Sequence, residues 1–285
     1  MKNLIFLAGL FWGSFSTALA LPSLDSQVIE SLTGGKGEGA ENSNGYTVSF
    51  PLSNLKVRSV GVQLTPALGL SCSASFIPSG EEVKVIGKFV LLEDQVNIVL
   101  KEALENGFNV TSLYNHSLWE LPRLMTLTIE GSGKLADLAT RIGTLFQIVK
   151  KSSSVAVWKA PLFLNAEKST LSKQNLEETL KSKATLKNGV YEFVWAFSEA
   201  QAPSRLVFAG TDAMAVMFGE VSTPTQSIQN ILKTFMKHNI YVTSIQNMGE
   251  MSVIHFMNRG PALELAQGIK DVLGTDATLS PQEQR

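Results

Sequence analysis

The chain has 285 residues, with 24 basic and 25 acidic side chains and a formal net charge of −1. Hydrophobic residues make up 44% of it, which excludes a disordered chain, and the balanced charge excludes a polybasic nucleic-acid-binding protein. No segment beyond the N-terminal region approaches the ~18 uninterrupted apolar residues of a membrane-spanning helix. We therefore expect a globular protein with no nucleic-acid partner and no membrane insertion.

Residues 1–20 have the order of a secretory signal. The single charge Lys2 precedes an apolar run over 4–12, and small residues end in Ala18-Leu19-Ala20. We expect cleavage before Leu21, which leaves 265 residues. This short, weakly charged signal is typical of bacteria. It predicts a secreted, extracellular protein, with the periplasm as the alternative.

The periodicity of the remaining sequence predicts an α+β protein. In the first part we expect an opening helix over 24–32, strands over 45–51 and 83–91, a helix over 93–106, strands over 108–115 and 123–130, and a helix over 134–149. The corresponding elements of the second part begin with a helix over 172–181 and strands over 190–197 and 213–221. Short connections and one-sided apolar faces favour antiparallel sheets that helices cover on one face.

The chain also repeats itself. Residues 87–112 align without a gap on residues 219–244 at an offset of 132, with six of 26 positions identical. Five residues are then missing from the second copy before Gly133 aligns with Gly260. Such self-similarity predicts a duplicated module with the order β-β-α-β-β-α. We expect a first module over 21–150, a linker over 151–168 and a second module over 169–285.

Two features of the first module invite a chemical interpretation that we do not favour. Cys72, the single cysteine, lies in a small, mildly apolar stretch and is predicted to be a buried hydrophobic residue rather than a nucleophile. The glycine-rich run over 34–39 lacks the order of a phosphate-binding loop and is predicted to be a flexible turn.

The best candidate site is the turn that follows the strand over 108–115. It gathers aromatic, charged and polar side chains of the kind found in binding hot spots, namely Tyr114, Asn115, His116, Trp119, Glu120 and Arg123. The alternative is that Trp119 and Pro122 anchor the loop. Because the second copy is five residues shorter here, only the first copy carries this turn.

Catalysis has weaker support. There is no Gly-x-Ser-x-Gly nucleophile motif, and the chain has three histidines. We expect no cofactor and no metal, and we favour a non-enzymatic protein that binds an unknown host or envelope protein or ligand. The alternative is a degenerate metal-dependent enzyme that uses His116 and Glu120, with His255 as a further ligand.

Two stretches carry a family resemblance. The residues over 48–57, followed by Gly61-Val62, and those over 113–123 resemble the bacterial LppY/LpqO family of lipoproteins, a family of unknown function that is commonly duplicated. The usual His-Asn-His strand end is Tyr114-Asn115-His116 here, and the lipid-accepting cysteine is missing. The chain also resembles Legionella proteins exported through the type II pathway. That resemblance implies an extracellular destination and an effector-like role at the host interface.

Overall fold

The structure, a computed structural model, describes residues 24–38, 45–152, 164–195 and 203–275. The expected signal segment and most of the expected linker lie outside these residues.

The described residues form six α-helices and fifteen β-strands. The first half contains, in chain order, α1 (Ser26–Thr33), β1 (Lys36–Glu38), β2 (Tyr46–Pro51), β3 (Arg58–Ser59), β4 (Val62–Gln63), β5 (Ser71–Ser79), β6 (Glu82–Leu92), α2 (Val96–Glu105), β7 (Asn109–Asn115), β8 (Glu120–Leu121), β9 (Leu124–Gly133) and α3 (Leu135–Ser152). The second half contains α4 (Lys173–Leu180), β10 (Thr185–Lys187), β11 (Val190–Trp195), β12 (Ser204–Gly210), β13 (Ala215–Pro224), α5 (Ile228–Lys237), β14 (Tyr241–Met248), β15 (Met251–Gly260) and α6 (Ala262–Gly274).

Twelve of the strands form one antiparallel sheet in the order β1-β2-β5-β6-β9-β7-β14-β15-β13-β12-β11-β10. The predicted α+β class with antiparallel pairing is confirmed. The two halves meet at the centre, where β7 pairs with β14 through Leu113 and Ile245. The strands therefore form one large sheet rather than a separate sheet for each half.

The helices pack on one face of this sheet because the strands alternate apolar and polar side chains. In β6, Val83, Val85 and Phe89 are buried, whereas Ile86 and Lys88 on the opposite face are exposed. Helices supply the cover for the buried side chains. Phe89 contacts Phe146 of α3 with ring centroids 5.6 Å apart, and Phe256 of β15 contacts Phe235 of α5 at 4.9 Å.

Local signals set the helix ends, which lie within about three residues of the predicted ones. Asp25 accepts hydrogen bonds from the backbone N–H groups of Gln27 and Val28 at the start of α1, and Ser172 accepts one from Asn175 at the start of α4. Both side chains satisfy amides that have no partner within the helix. Gly107, with φ of +76°, follows α2 in the left-handed conformation that stops a helix.

Several strands were not predicted. β5 consists largely of small residues, although Cys72, Ala74 and Phe76 alternate into the core. The glycine-rich run also differs from the predicted flexible turn. Gly34 ends α1 with φ of +68°, and the next residues form the edge strand β1. These residues form the end of a helix and an edge strand, so they do not form a phosphate-binding loop.

Cys72 is fully buried, as predicted, and burial raises the pKa of its thiol to about 12. It therefore lacks the accessible thiolate that a nucleophile needs. Among the described residues, no helix has both the length and the apolar character that crossing a bilayer demands.

Candidate binding surface

The candidate turn belongs to a small structure that we call the cap, formed by residues 52–70 and 116–123. Its strands make a three-stranded antiparallel sheet in the order β4-β3-β8. Ser59 of β3 lies opposite both Val62 of β4 and Glu120 of β8. The connection from β2 to β5 and the connection from β7 to β9, which are far apart in the sequence, are thereby joined into one unit.

The cap lies over one end of the sheet face that the helices leave uncovered. Val90 is on the same face of β6 as Ile86 and Lys88, yet it is fully buried. Thr126 in the neighbouring strand β9 pairs with Val90 and is also fully buried. Four buried side chains of the cap belong to the hydrophobic core, namely Leu52, Leu55, Val57 and Leu70.

Two hydrogen bonds fix the turn before β8. The Ser59 hydroxyl donates to the Leu118 carbonyl at 2.9 Å, and the backbone N–H of His116 donates to the Leu124 carbonyl at 3.0 Å. Because Ser59 is buried, its bond with Leu118 is shielded from water. The turn is thus held from the first connection and from β9.

Glu120 does not lie on the surface, although the sequence predicts it there. Its side chain is only 4% exposed, and its Oε2 accepts a hydrogen bond from the Leu124 backbone N–H at 3.2 Å. Its Oε1 is buried and has no hydrogen-bond partner among the described residues. Glu120 is therefore unavailable for direct contact with a partner at the surface.

His116 is half-buried beside Glu120. Its Nδ1 lies 3.0 Å from the Thr126 hydroxyl, and its Nε2 faces Gly69, where a Cβ would lie 3.5 Å away. Burial lowers the pKa of His116, the Glu120 carboxylate opposes this shift and Lys88 adds to it. The imidazole is therefore held towards its neutral form.

Trp119 is the most exposed of the large hydrophobic residues in the candidate turn, with 77% of its surface accessible. Its backbone has φ of +55°, in the left-handed region that an L-residue adopts at a cost of about 1–2 kcal/mol. This exposure is inconsistent with the alternative in which Trp119 anchors the loop by burial.

Val60 repeats this combination beside Trp119. Ser59, the last residue of β3, pairs with Glu120, the first residue of β8, in antiparallel orientation. Val60, which follows β3, and Trp119, which precedes β8, therefore lie at the same end of the small sheet. Val60 is 70% exposed and has φ of +45°, which is an outlier for a β-branched residue. Sequence reasoning missed Val60 because its only signal is the following Gly61.

Apolar side chains are concentrated on the cap. Of the seventeen large hydrophobic side chains that are exposed in the part of the chain the structure describes, six lie on the cap and Tyr114 lies next to it. We call these six residues the cap patch: Val60, Val62, Leu68, Leu118, Trp119 and Leu121. Single exposed hydrophobic residues are ordinary, whereas patches of them are typical of interaction sites, so the cap patch is the candidate site.

The other predicted site residues are distributed around the patch. Tyr114 and Asn115 end β7 on exposed positions, and Arg123 is exposed just before β9. The structure therefore places Tyr114, Asn115, Trp119 and Arg123 on the surface around the turn, while Glu120 lies beneath it.

His255 does not join this site. It lies on β15, which β14 separates from β7, and its Nδ1 is 3.7 Å from Glu220 Oε2. Within the described ranges, no three His, Cys, Asp or Glu side chains are arranged to hold a metal ion. His116, Glu120 and His255 consequently do not form a common site.

Sequence reasoning also missed a shallow cavity of about 230 Å³ on the uncovered face of the second half, lined in part by Arg205, Phe218, Glu220 and His255. Arg205 is ion-paired with Glu192 on the neighbouring strand. The cavity has no signal in the sequence because its residues come from four strands that are separated along the chain.

Comparison with known proteins gives a family match for part of the chain. Residues 27–147, which include the whole cap, match a family described as "Domain of Unknown Function (DUF1259)". The first half is thus similar to that family, whose description assigns no activity. No curated protein matches the chain.

Three solved structures illustrate how distant the structural likenesses are. The double ringed trimeric shell protein MSM0271 from the RMM microcompartment is 12% identical, with 73% of this chain and 89% of that chain covered and a TM-score of 0.21. Aspartate kinase from Synechocystis is 9% identical, with 73% of this chain and 42% of that chain covered and a TM-score of 0.16. TP0453 is 10% identical, with 88% of this chain and 98% of that chain covered and a TM-score of 0.19. At these TM-scores none of them informs the function.

Proposed function

We propose that this is a secreted bacterial protein without catalytic activity that binds a host or envelope partner through the cap patch. The observation that carries the proposal is Trp119, a large side chain that is 77% exposed on a backbone with φ of +55°. Contact with a partner explains why the chain keeps a tryptophan where folding alone disfavours one.

Val60 supports the proposal in the same way, because it is also exposed and has a positive φ. Each of these two residues costs about 1–2 kcal/mol in its left-handed conformation, and neither returns that energy by packing inside the cap. Backbone strain and exposed apolar surface at adjacent positions are expected at a binding site, where the partner covers the surface.

The alternative function, a degenerate metal-dependent enzyme, has one observation in its favour. Glu120 Oε1 is buried without a hydrogen-bond partner among the described residues, and a cation beside His116 would satisfy it. Two ligands are fewer than the three or four of a zinc site. Metal analysis of the purified protein distinguishes the two functions: stoichiometric metal that is lost in His116→Ala favours the enzyme.

We further propose that the two halves are duplicated modules and that only the first carries the binding function. Support comes from the sheet, in which the strands of each half follow the same order outwards from β7 and β14. The turn between β14 and β15 has two residues, Gly249 and Glu250, where the first half carries eight residues of the cap. This proposal is compatible with a relationship to the LppY/LpqO family, which we propose on the two resembling stretches.

Secretion is part of the proposal and rests on the signal pattern over 1–20. Cleavage there yields a mature chain that begins at Leu21, which N-terminal sequencing of the exported protein tests.

Site-specific photocrosslinking tests the binding function. Trp119→p-benzoylphenylalanine places a crosslinker in the cap patch, and Phe218→p-benzoylphenylalanine places one on an exposed aromatic position of the other half. After incubation with host cells or bacterial envelopes, we expect an adduct only from position 119. Unmodified protein should compete for it, and Trp119→Ala protein should not. No adduct, or equal adducts at both positions, overturns the proposal.

A further inference from the structure

The exposed charges on the cap all have one sign. Its exposed charged residues are Lys56, Arg58 and Arg123, and its single acidic residue, Glu120, is buried. None of the three basic side chains forms an ion pair with another described residue. In a chain whose overall net charge is −1, this leaves a locally positive surface around the cap patch.

Three side chains of the cap patch lie at turns. Val60 is in the turn between β3 and β4, and Leu118 and Trp119 are in the turn before β8. Leu118 is 63% and Trp119 77% exposed, so both side chains extend from the surface rather than line a recess. Projecting side chains of this kind are suited to a surface that deforms around them.

Tryptophan is the side chain that proteins favour at the boundary between lipid headgroups and acyl chains, because its ring is apolar and its N–H is polar. Basic residues next to such an apolar group are attracted to anionic headgroups, and the attraction falls off within a Debye length. The cap presents both features within one small sheet, where Arg58 lies opposite Leu121 and Val60 lies beside Trp119.

We infer that the partner of the cap patch is an anionic lipid surface, onto which the cap docks with Trp119, Leu118 and Val60 in the headgroup region. The inference rests on the proposed function, since it names the partner class of that same surface. The contact is peripheral. It uses side chains at turns and requires no segment that crosses the bilayer, and Lys56, Arg58 and Arg123 contact lipid phosphates.

Vesicle binding tests the inference with the full exported protein. The probe is phosphatidylcholine vesicles in which about a quarter of the lipid is phosphatidylglycerol, with pure phosphatidylcholine vesicles as the comparison. We expect cosedimentation with the anionic vesicles and at least about tenfold weaker binding to the neutral ones. Binding should weaken as salt is raised, because the ionic attraction is screened.

Matched variants locate the contact. Trp119→Ala should weaken binding to the anionic vesicles at least about tenfold, because it removes the largest apolar contact. Arg58→Gln and Arg123→Gln should each weaken it about fivefold. Phe218→Ala, which removes another exposed aromatic ring, should bind like the wild type. Trp119→Phe, which retains an aromatic ring, should keep most of the binding and so separates lost contact from lost folding.

The inference is overturned if the protein ignores anionic vesicles, binds neutral ones equally well, or loses as much binding in Phe218→Ala as in Trp119→Ala. Failure of the underlying function looks different. If vesicles do not bind while the crosslinker at position 119 captures a protein, the cap patch binds an acidic protein surface, and the lipid assignment alone is wrong. If the crosslinker at position 119 captures neither lipid nor protein, the binding function itself is wrong.

Discussion

Asn97 and Gln229 each hold the backbone of the opposite half with a side-chain amide at the centre of the sheet. The Asn97 side chain of α2 donates to the Ile240 carbonyl at 2.9 Å and accepts from the Val242 backbone N–H at 3.2 Å. The Gln229 side chain of α5 donates to the Val110 carbonyl at 2.8 Å and accepts from the Val110 backbone N–H at 2.9 Å. Asn97 and Gln229 are 132 residues apart, as are Val110 and Val242.

These side-chain hydrogen bonds join the two halves at a place where few backbone hydrogen bonds of the sheet connect them. The β7–β14 pair registers at Leu113 and Ile245, and both strands are irregular nearby, between Val110 and Ser112 in one and between Val242 and Ser244 in the other. The amide side chains satisfy backbone groups at these irregular positions. Each half therefore contributes a helix residue that stabilises the central strand of the other.

Gln229→Ala should lower the free energy of unfolding by about 1–3 kcal/mol, because it leaves the N–H and C=O of Val110 without these partners. Urea denaturation measures the loss, and amide hydrogen exchange at Val110 should become faster. Gln174→Ala is the control. Among the described residues its amide bonds only to Glu178, on the exposed face of α4, so its effect should stay within about 0.5 kcal/mol. Equal losses in both variants would contradict a special role for Gln229.

Val60→Asn should stabilise the protein by about 1 kcal/mol, because asparagine adopts the left-handed conformation at this turn more readily than valine does. The same change removes an exposed apolar side chain from the cap patch, so partner binding should weaken as stability rises. Thermal denaturation and the vesicle assay measure the two effects.

Val62→Asn is the matched control for stability. Val62 is also exposed and lies in β4, and it is not among the residues with positive φ. We therefore expect no gain in stability from this change. If Val60→Asn stabilises no more than Val62→Asn, the strain at Val60 is not the cause.

Much of the sheet could be predicted from local patterns, and the cap could not. In β6, buried and more exposed positions alternate from Glu82 to Phe89, which is long enough to reveal the period of two. β3 and β8 have two residues each, too few to show any period, and Ser59 pairs with Glu120 across more than fifty intervening residues. Only tertiary contact brings these segments together.

The candidate turn was found from its composition, but the role of each residue depends on burial. Trp119 and Glu120 are adjacent in the sequence, yet one is 77% exposed and the other 4%. The sequence treats both as turn residues because the pairing of β8 with β3, which turns Glu120 inward, has no local signal. The turn at Val60 could not be predicted either, because valine is disfavoured in a turn of this kind.

His116 should make stability depend on pH in a defined direction. Burial lowers its pKa in the folded protein below the value of about 6.5 expected in the unfolded chain. Between these two pKa values the unfolded chain binds more protons, so stability increases with pH there. The contribution is fully present above about pH 6.5 and is lost as the pH falls through the folded-state pKa.

His116→Gln removes this dependence. The difference in unfolding free energy between wild type and variant should therefore be larger at about pH 7.5 than at about pH 5. An NMR titration of the His116 ring measures the pKa directly, and Glu120→Gln should lower it further because the carboxylate opposes the shift. A His116 ring that titrates above its ordinary value in the folded protein would contradict the assignment.

Ser59→Ala should weaken partner binding although Ser59 itself is buried and makes no contact with the partner. Its hydroxyl holds the Leu118 carbonyl at 2.9 Å, next to Trp119. Loss of this bond should cost about 1 kcal/mol of stability and let the turn move, which hydrogen exchange over residues 117–119 would detect. Ser53→Ala, at an exposed serine of the same cap, should change neither property. If Ser59→Ala binds vesicles as tightly as wild type does, the conformation of Trp119 does not matter for docking.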